Sequence, residues 1–232
     1  MLSSPSTVLR SDTTFRTLLQ QVYGWMAAGL ALTALIAWYV SQSETLLTLI
    51  FGNQPVFFGL IIIELALVFG LSWGIGRMTS ALATAGFVLY AAINGATLAA
   101  IFLVYTSESI ASTFLVTACV FGAMSLYGYT TQRDLSTLGN LLIMALIGLI
   151  IASLVNIFLQ STAIYWVTTY AGVLIFVGLT AYDTQKLKRL SNQIDERDTE
   201  TFQKMVVLGA LTLYLDFINL FLYLLRLLGK RK

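Results

Sequence analysis

Apolar residues along this chain form long continuous stretches that are separated by short polar connections. Read with a window of about 19 residues, seven stretches are long enough to cross a bilayer: 22 to 42, 55 to 76, 81 to 104, 110 to 129, 138 to 159, 164 to 182 and 205 to 228. They show no alternation of apolar and polar residues, and lipid cannot satisfy exposed backbone groups, so they are predicted to be helices and not barrel strands. The pattern predicts an all-α polytopic membrane protein with a polar tail at 1 to 21 and a basic tail at 229 to 232.

Composition agrees with a membrane protein whose main partner is the lipid bilayer. The chain is 58% hydrophobic and 10% charged, whereas a soluble domain carries about 25% charged residues. Its 13 basic and 11 acidic residues are nearly balanced, which is not the charge of a nucleic-acid-binding protein. Histidine is absent and Cys119 is the single cysteine. A zinc cluster, a His/Cys nucleophile and a disulfide framework are therefore excluded, and no cofactor is expected.

Charges in the connections predict an orientation. The N-terminal tail and the even-numbered loops contain nine basic residues: Arg10, Arg16, Arg77, Arg133, Lys186, Lys188, Arg189, Arg197 and Lys204. The alternate loops contain none, so the N-terminus is expected to be cytoplasmic.

The last apolar segment departs from this rule. Seven crossings would place four basic residues near the outer side: Arg226, Lys230, Arg231 and Lys232. The segment therefore either crosses or re-enters; the charge count favours re-entry, and its helical pattern of 24 residues favours crossing.

Three carboxylates fall in or beside the apolar stretches, where an ionisable group costs about 2.5 to 3.5 kcal/mol on insertion scales. Asp216 is residue 12 of the 24 in the last stretch, and Glu64 is ten residues into the second. Glu64 is interpreted either as a pore acid or as a bundle-facing acid that stays protonated. Asp183 ends the sixth stretch, where it either pairs with Lys186 or Lys188 one turn later or meets Asp216 across the helix pair.

Asp216 belongs to a polar face of the last helix. Spacings of three and four place six residues on that face: Gly209, Thr212, Asp216, Asn219, Tyr223 and Arg226. Such a face is expected to turn toward a buried network or path. Thr212 and Asn219 are equally compatible with simple hydrogen bonds to neighbouring helices.

Shorter patches elsewhere are typical of helix packing. Asn94 with Tyr90 and Thr97 forms one such polar patch, and Gly70 with Gly74 has the small-xxx-small spacing of a close helix contact.

If Asp183 and Asp216 meet, both cannot be ionised at low cost, and the pair is expected to hold a shared proton. Loss of that proton would leave two charges that repel, recruit water or accept a hard cation. Ligands that are all oxygen suit Ca²⁺ far better than a transition metal. This chemistry predicts a pH-sensitive latch that binds or passes a cation.

Two sequence motifs make the chain resemble a known family. The last stretch contains Leu-Tyr-Leu-Asp-Phe-Ile-Asn-Leu-Phe at 213 to 221, and Tyr182-Asp183 ends the sixth. With the number of spans and the loop lengths, these motifs resemble the Bax-inhibitor-motif membrane proteins, in particular their bacterial inner-membrane branch, over essentially residues 20 to 229.

The resemblance implies a seven-helix fold whose C-terminal helix is central and wrapped by the other six, and a pH-sensitive calcium leak. It implies that Asp183 and Asp216 are the paired aspartates and that the last segment crosses. Glu64 matches the acidic position of the second helix. The latch arginine of that helix is matched only approximately, by Arg77. The candidate pore or latch residues are thus Glu64, Arg77, Thr212, Asn219 and Tyr223.

Two other functions are weighed against the channel. Family members are similar in suppressing stress or death pathways and, in bacteria, in modulating a membrane protease. The alternative is therefore a non-catalytic regulator that binds a membrane protease or another membrane protein through its tails or the 183 to 204 loop.

An intramembrane aspartyl protease also carries two aspartates on neighbouring helices. It is disfavoured because Leu213, Tyr214 and Leu215 stand where glycines are needed before the second aspartate, and because Pro5 and Pro55 are the only prolines. The protein is therefore expected not to be an enzyme.

Overall fold

A computed structural model describes the chain over residues 5 to 191 and 198 to 232, with side chains described from Arg16 onward. Arg197 and the side chain of Arg10, two of the cations used to predict orientation, lie outside that description. Within it the helices are α1 (Pro5–Ser41), α2 (Glu44–Phe51), α3 (Gln54–Gly74), α4 (Ser80–Leu98), α5 (Ala100–Val104), α6 (Ser107–Thr130), α7 (Ser136–Leu159), α8 (Thr162–Ser191) and α9 (Thr199–Leu228). A 3₁₀ turn at Ile75–Arg77 follows α3.

Seven of the helical segments described are long and apolar enough to span a membrane. This confirms the predicted fold class. The last helix is the most buried of the seven: 67% of its most apolar stretch is buried, against at most 33% in the others. A helix that is buried on nearly every side belongs at the centre of a bundle. α9 is also uninterrupted over 30 residues, about 45 Å at 1.5 Å per residue, which is the geometry of a crossing helix.

Contacts divide the chain into two units. The first comprises the described residues of Met1–Val104 and Arg189–Tyr214, and the second comprises Tyr105–Lys188 and Leu215–Lys232. α9 contributes its first half to one unit and its second half to the other.

In the first unit, α1 and α4 approach closely at a glycine. A methyl group added at Gly95 would lie 2.7 Å from the carbonyl oxygen of Thr33, so the small residue is needed there. Thr33 also donates a hydrogen bond of 2.8 Å to the carbonyl oxygen of Ala91. The packing interpretation of Gly70 is wrong, because a methyl group at that position would meet no atom within 4 Å.

In the second unit, aromatic side chains hold α9 against α6. The ring of Phe217 lies 5.1 Å from that of Phe114 and 5.4 Å from that of Phe121. Beyond the end of α9, the Thr106 N–H donates to the Lys230 carbonyl oxygen at 3.1 Å, and the Lys230 N–H donates to Ser109 Oγ at 2.9 Å. These bonds fix the C-terminal tail on the start of α6.

Candidate functional site

Asp183 and Asp216 come together within the second unit. Their side chains are 8% and 4% exposed, and their carboxyl groups lie within hydrogen-bonding range of each other. Ionised carboxylates only accept hydrogen bonds, so a hydrogen bond between the two side chains would form only when one of them carries a proton. The arrangement is the one expected if the two residues meet across the helix pair.

The pairing follows from an antiparallel register of α8 and α9. Seven residues before Asp183 and seven after Asp216, the rings of Phe176 and Tyr223 stack with their centroids 5.9 Å apart. The carboxyl pair and the ring pair are thus separated by the same two turns on both helices. The two helices therefore run side by side over this length. α8 continues eight residues past Asp183, so the pair lies about 12 Å inside the end of that helix.

Three consecutive residues of α8 each face a different helix. A methyl group added at Gly128 of α6 would overlap the carbonyl group of Ala181, and one added at Gly139 of α7 would overlap the ring of Tyr182. Asp183 then faces α9. Two glycines therefore set the depth and rotation of α8, and with them the position of its carboxylate.

Polar neighbours on both helices bond to their own backbone. Thr180 and Thr184 donate to the carbonyl oxygens four residues earlier, at 2.7 and 2.8 Å. On α9, Thr212 Oγ1 donates to the Leu208 carbonyl oxygen at 3.0 Å, and Asn219 Nδ2 donates to that of Leu215 at 2.8 Å.

Two buried side-chain oxygens in the described part of the chain have no hydrogen-bond partner: Ser125 Oγ and Asp216 Oδ2. Because buried polar groups are normally satisfied, such an atom invites a functional explanation. Ser125 lies one turn before Gly128, on the same face of α6. Asp216 Oδ2 therefore keeps lone pairs that no described protein group occupies.

Lysines follow Asp183 on α8, as the alternative interpretation of that residue required. Lys186 interacts electrostatically with Asp183. Lys188 instead donates a hydrogen bond of 2.9 Å to the carbonyl oxygen of Tyr129 and lies 4.9 Å from the centre of its ring. One lysine thus partly balances the charge of the pair, and the other ties α8 to α6.

Glu64 belongs to a separate polar network in the first unit. Thr97 donates a hydrogen bond of 2.7 Å to Glu64 Oε1, and Asn94 bonds the same carboxyl group. Tyr214 donates to Asn94 Oδ1 at 3.0 Å, and its hydroxyl oxygen lies 2.6 Å from Thr33 Oγ1. The network links α1, α3, α4 and α9.

The remaining candidates are placed as follows. Arg77 is exposed and ends the 3₁₀ turn after α3. The ring of Tyr223 also fills the space beside Gly172 of α8, where an added methyl group would lie 2.6 Å from the ring. The guanidinium carbon of Arg226 lies 5.2 Å from the centre of the Tyr223 ring.

Sequence reasoning did not single out Tyr214 and Gln185. Tyr214 entered only through the family motif and the argument against a protease, although it is fully buried and joins Thr33 to Asn94. Gln185 accepts a hydrogen bond from the Leu135 N–H at 2.9 Å and donates to the Arg133 carbonyl oxygen at 2.8 Å. The sequence offered one indication for Gln185, which is a polar residue that continues a helix past the end of an apolar stretch.

Comparison with known proteins shows which family and which proteins the chain is similar to. A family model described as "Inhibitor of apoptosis-promoting Bax1" matches residues 15–232. The Escherichia coli K12 protein "Inner membrane protein YbhL" is 59% identical over 217 residues, which cover 94% of this chain and 93% of that protein.

Other bacteria have similar proteins at lower identity. One from Borreliella burgdorferi is 46% identical over 92% of both chains. A membrane protein of Streptococcus pyogenes serotype M3 is 37% identical over 95% of this chain and 96% of its own.

Proposed function

Because the chain belongs to the family of inhibitors of apoptosis-promoting Bax1 and is a multi-pass inner-membrane protein, we propose that it is a pH-sensitive cation leak channel. Asp183 and Asp216 form its latch, and calcium is the ion that passes. The protein performs no catalysis, and its N-terminus is cytoplasmic. The observation that carries the proposal is the contact between two buried carboxyl groups on antiparallel helices.

The latch works by proton occupancy. While one proton is shared, a carboxyl group donates to its ionised neighbour, and the contact holds α8 against α9. Without the proton, two negative charges would face each other in a region from which water is largely excluded, where their repulsion is screened much less than in water. The helices would then separate or admit water and cations.

The small number of ligands in the pair suits a cation that binds transiently while it crosses. Ca²⁺ prefers oxygen ligands and takes six to eight of them. The pair supplies two carboxylates, and the described residues contain no group of three or more acidic, histidine or cysteine side chains that would hold a metal. A site with few protein ligands, completed by water, binds weakly enough to release its ion.

In this proposal, aromatic packing between α8 and α9 closes the pathway. Phe176 and Tyr223 stack two turns from the carboxyl pair, toward the C-terminal end of α9. Apolar constrictions of this kind block ions by excluding water. Tyr223 therefore acts in the closed state, and Asn219 lies between it and Asp216 on the same face.

Glu64 is the second acidic candidate for the pathway. It is half-buried in the second predicted span and is bonded by Thr97 and Asn94. An acid held by neutral donors at membrane depth can exchange a proton or bind a cation in transit. Arg77 remains a candidate latch residue by its position after α3.

The alternative function is a non-catalytic regulator that binds a membrane protease or a stress-pathway protein. Exposed basic residues after Asp183 favour it, because Lys186 and Arg189 stand on the part of α8 that extends beyond the apolar stretch. A shortened protein that lacks residues 1 to 12 should lose partner capture under this alternative and keep calcium flux.

An aspartyl protease is a weaker alternative. Cleavage of a model transmembrane substrate that either Asp→Ala change abolishes would favour it.

Calcium flux into proteoliposomes tests the channel directly. The wild type should show a flux that depends on pH, and D183N and D216N should each lose most of that dependence, because the pair can no longer exchange a shared proton. E108Q is the matched control, since it removes one exposed carboxylate from the first turn of α6. Wild-type rates and pH dependence in both asparagine variants would disprove the assignment of the latch.

A further inference from the structure

A basic cavity opens in the second unit where α7 ends, α8 begins and α9 ends. It consists of two adjoining spaces of about 550 and 450 Å³ that share Asn156, Tyr165 and Arg226 in their walls. Arg231 lines the larger space. We propose that this cavity binds an anionic phospholipid, with the lipid phosphate between Arg226 and Arg231 and an acyl chain along α7.

A single aromatic ring organises both arginines. The guanidinium carbon of Arg226 lies 5.9 Å from the centre of the Tyr165 ring, and Arg231 Nη2 donates a hydrogen bond of 3.1 Å to the Tyr165 hydroxyl. Arg226 also lies over Tyr223. The two cations are therefore held on one side chain without a carboxylate between them, which is the arrangement that a phosphate can bridge.

The tail that carries Arg231 is fixed in place. Backbone bonds join Lys230 to Thr106 and Ser109, and Gly229 passes so close to Tyr105 that an added methyl group would lie 2.7 Å from its ring. The hydrogen bond to Tyr105 also raises the pKa of Arg231, so this guanidinium stays charged at any physiological pH. A cation positioned in advance loses little entropy when it binds an anion.

The polar walls of the larger space complete an anion site. Gln160, Ser161 and Thr162 lie at the start of α8, where the positive end of a 30-residue helix favours negative charge. No aspartate or glutamate is among the described residues that line either space.

The smaller space identifies the anion as part of a lipid. Ile150, Leu154 and Ile157 line it, and each is more than half exposed on the outer face of α7. Exposed apolar side chains on a membrane helix face lipid, so an acyl chain can lie along this wall. Trp166 and Tyr170 are also exposed near the start of α8, as is typical of the level of lipid headgroups. A free phosphate would use the arginines and leave the apolar wall unoccupied.

The proposal also explains a feature of the sequence that the channel does not use. Four basic residues lie among the last seven of the chain, against the expected charge distribution. Two of them line the cavity, where their role would be to bind a headgroup.

Lipid binding to the purified full-length protein tests the proposal. Native mass spectrometry in detergent would titrate dioleoyl phosphatidylglycerol and dioleoyl phosphatidylcholine separately, and thermal unfolding would be followed with each lipid and with inorganic phosphate. The wild type should bind phosphatidylglycerol at least tenfold more tightly than phosphatidylcholine. R226Q and R231Q should each reduce that preference severalfold, and R133Q, which removes an exposed arginine from the connection before α7, should retain it.

A second variant separates lipid from free anion and does not remove an arginine. L154W fills the apolar space, so it should weaken phosphatidylglycerol binding and leave any stabilisation by inorganic phosphate unchanged. Equal binding of the two lipids by the wild type would overturn the proposal, as would a full preference in the folded R226Q and R231Q proteins. Stabilisation by inorganic phosphate equal to that by phosphatidylglycerol, with no effect of L154W, would show a free-anion site instead.

Discussion

Replacement of Gly139 by alanine should disturb the latch from a distance, because Gly139 is where the ring of Tyr182 rests. A methyl group at this position would lie 2.6 Å from Cγ of Tyr182, whereas carbon atoms pack at about 3.5 to 4.0 Å. The ring, or the helix that carries it, must therefore move by about 1 Å. Overpacking of this kind costs about 1 to 3 kcal/mol.

Thermal unfolding in detergent measures the destabilisation caused by G139A. At about 2 to 4 °C per kcal/mol for a chain of this size, G139A should lower the midpoint by roughly 2 to 12 °C. The adjacent residue Asp183 should shift with Tyr182, so the pH dependence of calcium flux should weaken as well.

A glycine on the same helix provides the control. A methyl group at Gly148 would meet no atom within 4 Å, so G148A should leave the midpoint unchanged or raise it slightly through better helix propensity. Equal midpoints for G139A and G148A would refute the conclusion that Gly139 sets the position of α8. A lowered midpoint with unchanged pH dependence of flux would refute the link between that position and the latch.

Three further changes test other parts of the structure. Y214F removes the hydroxyl that joins Asn94 to α1, and it should destabilise the protein by about 1 to 3 kcal/mol, measured by chemical unfolding. Q185L leaves the buried N–H of Leu135 without its acceptor and should cost a similar amount, seen as a lower thermal midpoint. Asp198 has a pKa below its ordinary value of 3.8, chiefly because its side chain accepts hydrogen bonds from the first turn of α9. A depressed native pKa stabilises the folded state above the unfolded value, so D198A should lower the midpoint at neutral pH, and the difference from wild type should vanish as pH falls through the native pKa.

Much of the fold was predictable from the pattern of apolar residues. Hydrocarbon imposes length and polarity on each span, which is why the seven helices follow from the apolar pattern alone. The burial of α9 was expected from the polar face of that helix and from the family resemblance. The contact of Asp183 with Asp216 was one of two interpretations, since the depth of α8 and the start of α9 were open. The structure extends α8 to Ser191 and begins α9 at Thr199.

Close packing was not predictable, because it depends on the shapes of side chains that are distant in sequence. Gly70 has the spacing of a helix contact and faces open space, whereas Gly128 and Gly139 belong to no such motif and receive Ala181 and Tyr182. The role of Tyr214 was hidden for a similar reason. A tyrosine in an apolar stretch is normally interpreted as a core-packing residue. Its hydrogen-bond partners Thr33 and Asn94 lie on other helices, so the local sequence does not reveal them.

The pH dependence of calcium flux in a double-mutant cycle tests the shared proton most directly. Flux would be measured in proteoliposomes for the wild type, D183N, D216N and the variant that carries both changes. If one proton is shared, the two single changes should each remove the same pH response, and the second change should add nothing to the first. Two independent responses, each lost separately and adding up in the double variant, would contradict the account.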